Sequence, residues 1–272
     1  MLEALFAAAL FVASSAIAAP PELEIERREE LAIVQPGSLV TVDNSFGDVR
    51  ARFGGYTGQV EVRAAIQQFV AEGPRLQLEV VEVKGGLRVA VGERPDGAGG
   101  LRTERQPGQK KRADLVLFVP RGVNLATTTR EGQIEIRGLE GDVTARSASG
   151  AIHARAIRGD LDLASDQGSI VAVPQSLDRR AVQRFASVSG DITLHLDPRG
   201  HYTCRLSTRG RLSTDFSLTV EDDPADARRR RALAKVGKGT MTLAVTSRDG
   251  HVRLVRRPPA AEARVFAPEE PQ

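Results

Sequence analysis

Five glycines stand nine residues apart, at Gly132, Gly141, Gly150, Gly159 and Gly168. Each opens a short phrase in which polar and apolar residues alternate: GQIEI, GDVTA, GAIHA, GDLDL and GSIVA. A fixed period marks a repeat architecture, which constrains the fold more tightly than any single motif does. Alternation over five residues is a strand signal. Ile134, Val143, Ile152, Leu161 and Ile170 therefore face inward, each with its partner two residues on. Four residues between strands leave room only for a turn, and two kinds of turn alternate. One is apolar before its glycine (RGLEGD, RAIRGD), with Leu139 and Ile157 filling a corner of the core. The other is small and polar (ARSASG, ASDQG). The true unit is thus 18 residues with two strands and two corners. Stacked, such units form an all-β, parallel β-helix-like β-solenoid with strands about 4.8 Å apart. Antiparallel hairpins with four-residue loops compete, but they do not explain why the turn types recur at 18.

The regular repeats cover 131–173, and the pattern continues less regularly. The phrases at Gly190, Gly210 and Gly250 extend it downstream, and those at Gly47 and Gly58 read as earlier copies. Leu76–Val83, Leu87–Val91 and Asp114–Val119 read as plainer strands. Gly92 to Arg112, rich in Gly, Pro and charge, reads as a long mobile loop. Residues 221–236 start acidic and end basic, which suits a short helical insertion with a compensated dipole.

The ends read differently. Ala4 to Ala13 is an apolar run too short to span a bilayer. Ala16 to Ala18 fits the small-x-small cleavage rule, so residues 1–18 read as a signal peptide, although Glu3 stands where Lys or Arg is usual. The folded domain then covers 19–257, and 258–272 reads as a disordered tail. After cleavage no segment is apolar and long enough for a transmembrane helix. A lone cysteine, Cys204, leaves no internal disulfide and sits in a strand-like segment, where a buried small hydrophobe is expected.

These phrases resemble the bacterial putative-adhesin family. The resemblance rests on the repeated S-x-x-G-[DAS]-[IVL]-x-[AL] pattern, on VDNSFGDV at 42–49 and on LVLFVPRG at 115–122. It covers roughly residues 38–255. It implies an exported β-solenoid in the periplasm or at the cell surface, of largely unknown function, and supplies no catalytic residues. Some members are tethered by membrane helices and associated with envelope-stress signalling.

Site chemistry is sparse. Asp142 and Asp160 fall one repeat apart, but the doubled glycine and the sixth-position Asp of calcium-binding nonapeptides are missing. Gly-Asp is ordinary turn chemistry, the carboxylate bonding to nearby backbone. Gly237-Lys238-Gly239 departs from the phosphate-loop pattern, and no G-x-S-x-G elbow occurs. His153, His195, His201 and His251 lack ligand spacing; His153 is expected outward, above Glu135. No cofactor is implied, and without a carboxylate pair a β-helix polysaccharide lyase or hydrolase is disfavoured. Two basic features remain: Arg228, Arg229, Arg230 and Arg231 on the insertion, and Arg137 with Arg155 on an outer face. Either suits phosphate or carboxylate groups of an anionic lipid or glycan. A net charge of +3, an export signal and the absence of a recognition motif argue against nucleic acid. The chain thus reads as a non-enzymatic envelope protein presenting a binding face, with a structural or stress-related scaffold as the other reading.

Overall fold

Alternating burial along nearly every segment makes this chain β. The computed structural model describes residues 22–69, 74–94, 100–106, 108, 110–175, 182–223 and 226–257. The expected leader and tail lie outside the described residues. The strands are β1 (Leu23–Ile33), β2 (Leu39–Asn44), β3 (Val49–Phe53), β4 (Gln59–Phe69), β5 (Leu76–Val83), β6 (Gly86–Glu93) and β7 (Arg112–Val119). The repeat region supplies β8 (Asn124–Thr129), β9 (Ile134–Arg137), β10 (Val143–Ser147), β11 (Ile152–Ile157), β12 (Leu161–Ser165) and β13 (Ile170–Pro174). There follow β14 (Val182–Ser187), β15 (Ile192–Leu196), β16 (Tyr202–Thr208), β17 (Leu212–Thr214), β18 (Thr219–Asp222), β19 (Arg230–Val236), β20 (Met241–Ser247) and β21 (Val252–Arg256). Among the described residues there is no helix.

Two large, mostly parallel sheets result. The first runs β1-β4-β7-β3-β9-β11-β13-β15-β21-β17, and the second β18-β19-β16-β20-β14-β12-β10-β8-β2-β6-β5. From β8 to β15 successive strands alternate between the sheets. Ile134, Ile152 and Ile170 lie in one row of parallel partners, as expected, and Val143 and Leu161 lie in a row of the other sheet. All five are at most 1% exposed, as are Leu139 and Ile157 at their corner. Antiparallel hairpins do not occur there.

The glycine period has a packing cause. A methyl group added to Gly150 would collide with the Gly132 carbonyl oxygen, and one on Gly168 with that of Gly150. The same holds for Gly132 against Gly47, Gly190 against Gly168 and, at the opposite corner, Gly159 against Gly141. The corners stack backbone on backbone. A hydroxyl column runs beside them. Ser147, Ser165, Ser187 and Ser247 each accept the amide of the glycine three residues on, at 2.8–3.0 Å. Ser165, Ser247 and Thr208 also donate to a glycine carbonyl of the neighbouring layer, at 3.2, 3.0 and 2.6 Å. Each layer's buried backbone is thereby satisfied at its turn.

Four expectations are corrected. First, the described residues of 221–236 form strands and not a helix: β18 pairs antiparallel with β19, which pairs antiparallel with β16. Ala232, Ala234 and Val236 alternate into the core with period two, and the free edge of β16 outweighs the helical dipole signal. Second, the Gly58 phrase is not a parallel repeat. The chain reverses through Gly54, Gly55 and Gly58, and β4 lies antiparallel between β1 and β7. Third, strand order departs from chain order: β20 and β21 insert between the β14–β15 layer and β16–β17. Fourth, β structure starts at Leu23, upstream of the earliest expected copy of the phrase, at Gly47.

Within the expected 92–112 loop, residues 95–99, 107 and 109 lie outside the described residues, and the ends of the segment are anchored. Glu93 and Arg102 form a β-bridge through reciprocal backbone hydrogen bonds. Lys111 Nζ meets Glu93 Oε1 at 2.6 Å with both side chains 2% exposed, and also donates to the Pro74 carbonyl. This buried ion pair closes the core beside Leu76.

Candidate functional site

The four consecutive arginines do not form one cluster. Arg228 lies in a turn and Arg230 and Arg231 in β19, where alternation sends neighbouring side chains to opposite faces. Buried Asp223 holds Arg231 at 3.0 Å and Arg229 at 3.9 Å. Asp226 accepts both Nε and a terminal nitrogen of Arg209, at 2.9 and 2.8 Å, and the Arg228 amide at 3.1 Å. The Arg209 hydrogen bond, seconded by the Arg228 amide, holds the Asp226 carboxyl below its usual range. Half of the run is thus spent tying the hairpin to its own acids.

Arg137 and Arg155 are brought together, as direct register partners on β9 and β11. The structure adds a third member that sequence reasoning passed over. Arg52 on β3 is the register partner of Arg137 on its other side. It follows Gly47 by the same five residues that separate Arg137 from Gly132 and Arg155 from Gly150, so the phrase itself carried the signal. All three are exposed. Arg155 reaches Glu135 at 3.3 Å, whereas Arg52 and Arg137 have no carboxylate partner among the described residues. Like charges directly opposite are destabilising, so this row is a surplus of potential.

Beyond Arg52 the row passes to Phe118 and Glu61, and a cavity of about 680 Å³ opens beside Phe53, the residue that follows Arg52. Phe53, next to Arg52, and Tyr56 are 44% and 63% exposed on its wall. Pro36, Pro120 and Ile33 complete its apolar lining. Arg121 lies over the Phe53 ring, 5.5 Å from its centre, and is 3.6 Å from Glu140, which also meets Arg158 at 3.4 Å. No carboxylate, imidazole or thiol lines this cavity.

The other candidates have internal roles. Asp142 Oδ1 accepts the Asp160 amide at 2.8 Å, and Asn124 Oδ1 accepts the Asp142 amide at 2.8 Å. Asp48 and Asp191 likewise accept the amides of Gln133 and His251, at 2.9 and 2.7 Å. The Gly-Asp carboxylates therefore stitch one layer to the next. His153 is stacked over Glu135 in register, but its ring bonds to Gln133 at 3.0 Å. His195 is half-buried, and burial, with Arg253 nearby, lowers its pKa. Cys204 is fully buried and burial pushes its thiol up to about 12. Among the described residues no helix is long and apolar enough to cross a membrane.

No family profile and no curated protein matches the sequence. Among solved structures the chain is similar to a putative cell adhesion protein from Clostridium sporogenes at 12% identity, over 85% of this chain and 100% of that one, with a TM-score of 0.47. It is also similar to a putative adhesin from Bacteroides fragilis at 10% identity, over 86% of this chain and 99% of that one, with a TM-score of 0.32.

Proposed function

We propose that this chain is an exported, non-enzymatic β-solenoid that presents a rigid binding face in the cell envelope. One observation carries the reading: parallel register lines outward side chains into straight rows, and one of these rows is an arginine stripe, two of its three members without a carboxylate partner among the described residues, beside a cavity with exposed aromatic rings. A spacer needs a solvated, charge-balanced surface, not exposed Phe53 and Tyr56 beside unpaired Arg52 and Arg137. An enzyme of the β-helix class needs clustered acids and bases in a cleft, and the cavity beside Phe53 and Tyr56 is lined by one arginine and no acid. Export rests on the leader pattern and on the adhesin-like sequence phrases.

The test is cell fractionation with N-terminal sequencing, followed by photo-crosslinking from a residue analogue placed at Thr57 on the cavity rim. Protein starting at Ala19 in the envelope, crosslinked to a discrete component, is expected. Intact Met1 on cytoplasmic protein would remove export. Envelope protein that crosslinks to nothing discrete would favour the scaffold role.

A further inference from the structure

Charge, geometry and chemistry at the arginine row narrow the ligand. Arg52, Arg137 and Arg155 occupy one position on three adjacent parallel strands, so they step along the stack at about 4.8 Å. The stripe is one residue wide. The next outward row on the same strands is Arg50, Glu135 and His153, and its middle member is acidic. A membrane surface would press anionic headgroups against Glu135 and Glu140 as well as against the arginines. A linear chain lying along the stripe meets the three arginines before the row passes to Phe118 and Glu61. The guanidinium fork matches a carboxylate with two parallel hydrogen bonds, and two of these forks have no carboxylate of their own among the described residues. Beside Arg52, Phe53 and Tyr56 offer exposed rings, with the Arg121 guanidinium over the Phe53 ring. A sugar ring has one apolar face to lay on such rings and hydroxyls to bond at their edge.

We propose that this face takes a linear acidic polysaccharide, with its carboxylates on Arg52, Arg137 and Arg155 and a terminal sugar ring in the cavity against Phe53 and Tyr56. The proposal rests on the binding-face reading and names its ligand class. Binding relieves the repulsion within the row, so it stabilises the fold.

The experiment uses the purified full chain in calorimetric titrations with polygalacturonate, alginate and hyaluronate. Fully methyl-esterified polygalacturonate serves as the uncharged control, and phosphatidylglycerol vesicles as the lipid arm. Salt-sensitive binding to at least one uronate polymer is expected, together with a raised Tm and no binding to the methyl ester. The R52S/R137S/R155S variant is expected to weaken binding by on the order of 1000-fold, about tenfold per lost charge-assisted contact, with a Tm in the absence of ligand no lower than the parent's, because the repulsion within the row is gone. Tyr56→Ala should weaken it several-fold without altering the salt dependence, and R228S/R230S should not change it. The inference is overturned if no uronate polymer binds, if the triple variant binds as well as the parent, or if vesicles bind and the polymers do not. If any of these occurs while photo-crosslinking still captures a discrete envelope component, only the acidic-glycan assignment falls. If capture fails too, the binding-face reading falls with it.

Discussion

Glycine at the repeat corners is there for closeness, not for backbone freedom, and Gly150→Ala measures the difference. Gly150 is not among the residues of positive φ, so alanine meets no conformational objection. Its added methyl would instead enter the Gly132 carbonyl oxygen, with the Glu131 carbonyl oxygen at 3.0 Å behind it. Both are backbone atoms of the next layer, and no rotamer change moves them. Relief requires the layers to part at this corner, which strains the Ile134 amide bond to the Ala151 carbonyl and the Ser149 amide bond to the Arg130 carbonyl, at 2.9 and 2.8 Å. Two weakened backbone hydrogen bonds cost about 1 kcal/mol each. Overpacking of this kind adds about 1–3 kcal/mol. The expected loss is therefore about 3–5 kcal/mol. Gly138→Ala is the control. Gly138 has φ +76°, yet an added methyl would find only Phe53 Cβ, at 3.4 Å. Ala156 already occupies the equivalent position one repeat on, at φ +56°. The left-handed cost of about 1–2 kcal/mol, offset by about 0.4–1 kcal/mol of lost unfolded-chain entropy, leaves about 1 kcal/mol. Urea unfolding with an unchanged m-value reads both. If Gly138→Ala destabilises as much as Gly150→Ala, the glycines are chosen for dihedral angle and the stacking argument is wrong.

Three further outcomes are expected. Lys111→Met, which takes its ammonium away from buried Glu93, should cost about 3–5 kcal/mol, and the double variant Glu93→Leu/Lys111→Met should recover most of it; equal losses in the single and double variants would show that the ion pair is not the reason. Ser165→Ala leaves the Gly168 amide and the Gly150 carbonyl without their buried partner and should cost about 1–3 kcal/mol, whereas Ser165→Thr should be much milder, because threonine holds the same column at Thr129 and Thr208; chemical denaturation of both variants checks this. Cys204, its thiol raised from 9.0 to about 12 by burial, stays neutral in the fold, so its contribution to stability is complete below about pH 9 and is lost as pH climbs toward 12; a thiol reagent at pH 8 should label it only after denaturant is added, and rapid native labelling would contradict its burial.

The repeat core was legible because two independent periods agree there. Alternation assigned Ile134, Ile152 and Ile170 to one side, and the recurrence of turn types at 18 residues assigned Val143 and Leu161 to the other. Both follow from local sequence. The losses occurred where the partner of a strand is set at long range. Nothing in the Gly58 phrase reveals that β4 runs on for 11 residues and reverses against β1 and β7. Nothing in residues 221–236 reveals the open edge of β16 that turns an amphipathic-looking segment into a strand. The candidate site divides similarly. Arg137 and Arg155 were found because their repeats are regular. Arg52 was missed because its repeat is interrupted after Phe53, although its offset from Gly47 was already in the phrase. The cavity wall of Phe53 and Tyr56 exists only once Gly54, Gly55 and Gly58 have turned the chain.

The same long-range strands decide whether the stack presents its faces or its ends. A parallel stack has two open edges on each sheet, and open edges recruit further strands. Here each described edge is blunted. β17 has three residues and β18 four, the latter carrying Glu221 and Asp222. β5 carries Glu79 and Glu82, followed by Lys84. β1 is long, at 11 residues, but its centre is five consecutive charges from Glu26 to Glu30. Its exposed apolar residues, Leu23, Ile25, Leu31 and Ile33, are thereby split into two short groups. A regular repeat alone, cut at 131 and 173, would leave unprotected edges on both sheets, β9 and β13 on one and β10 and β12 on the other, and would extend itself with further copies. The antiparallel additions β1–β4, β5–β6 and β18–β19 replace those edges with short or charged ones. The departures from the repeat are thus what stops end-to-end growth, and they leave the outward rows, with Arg52, Arg137 and Arg155 among them, as the surface open to a ligand.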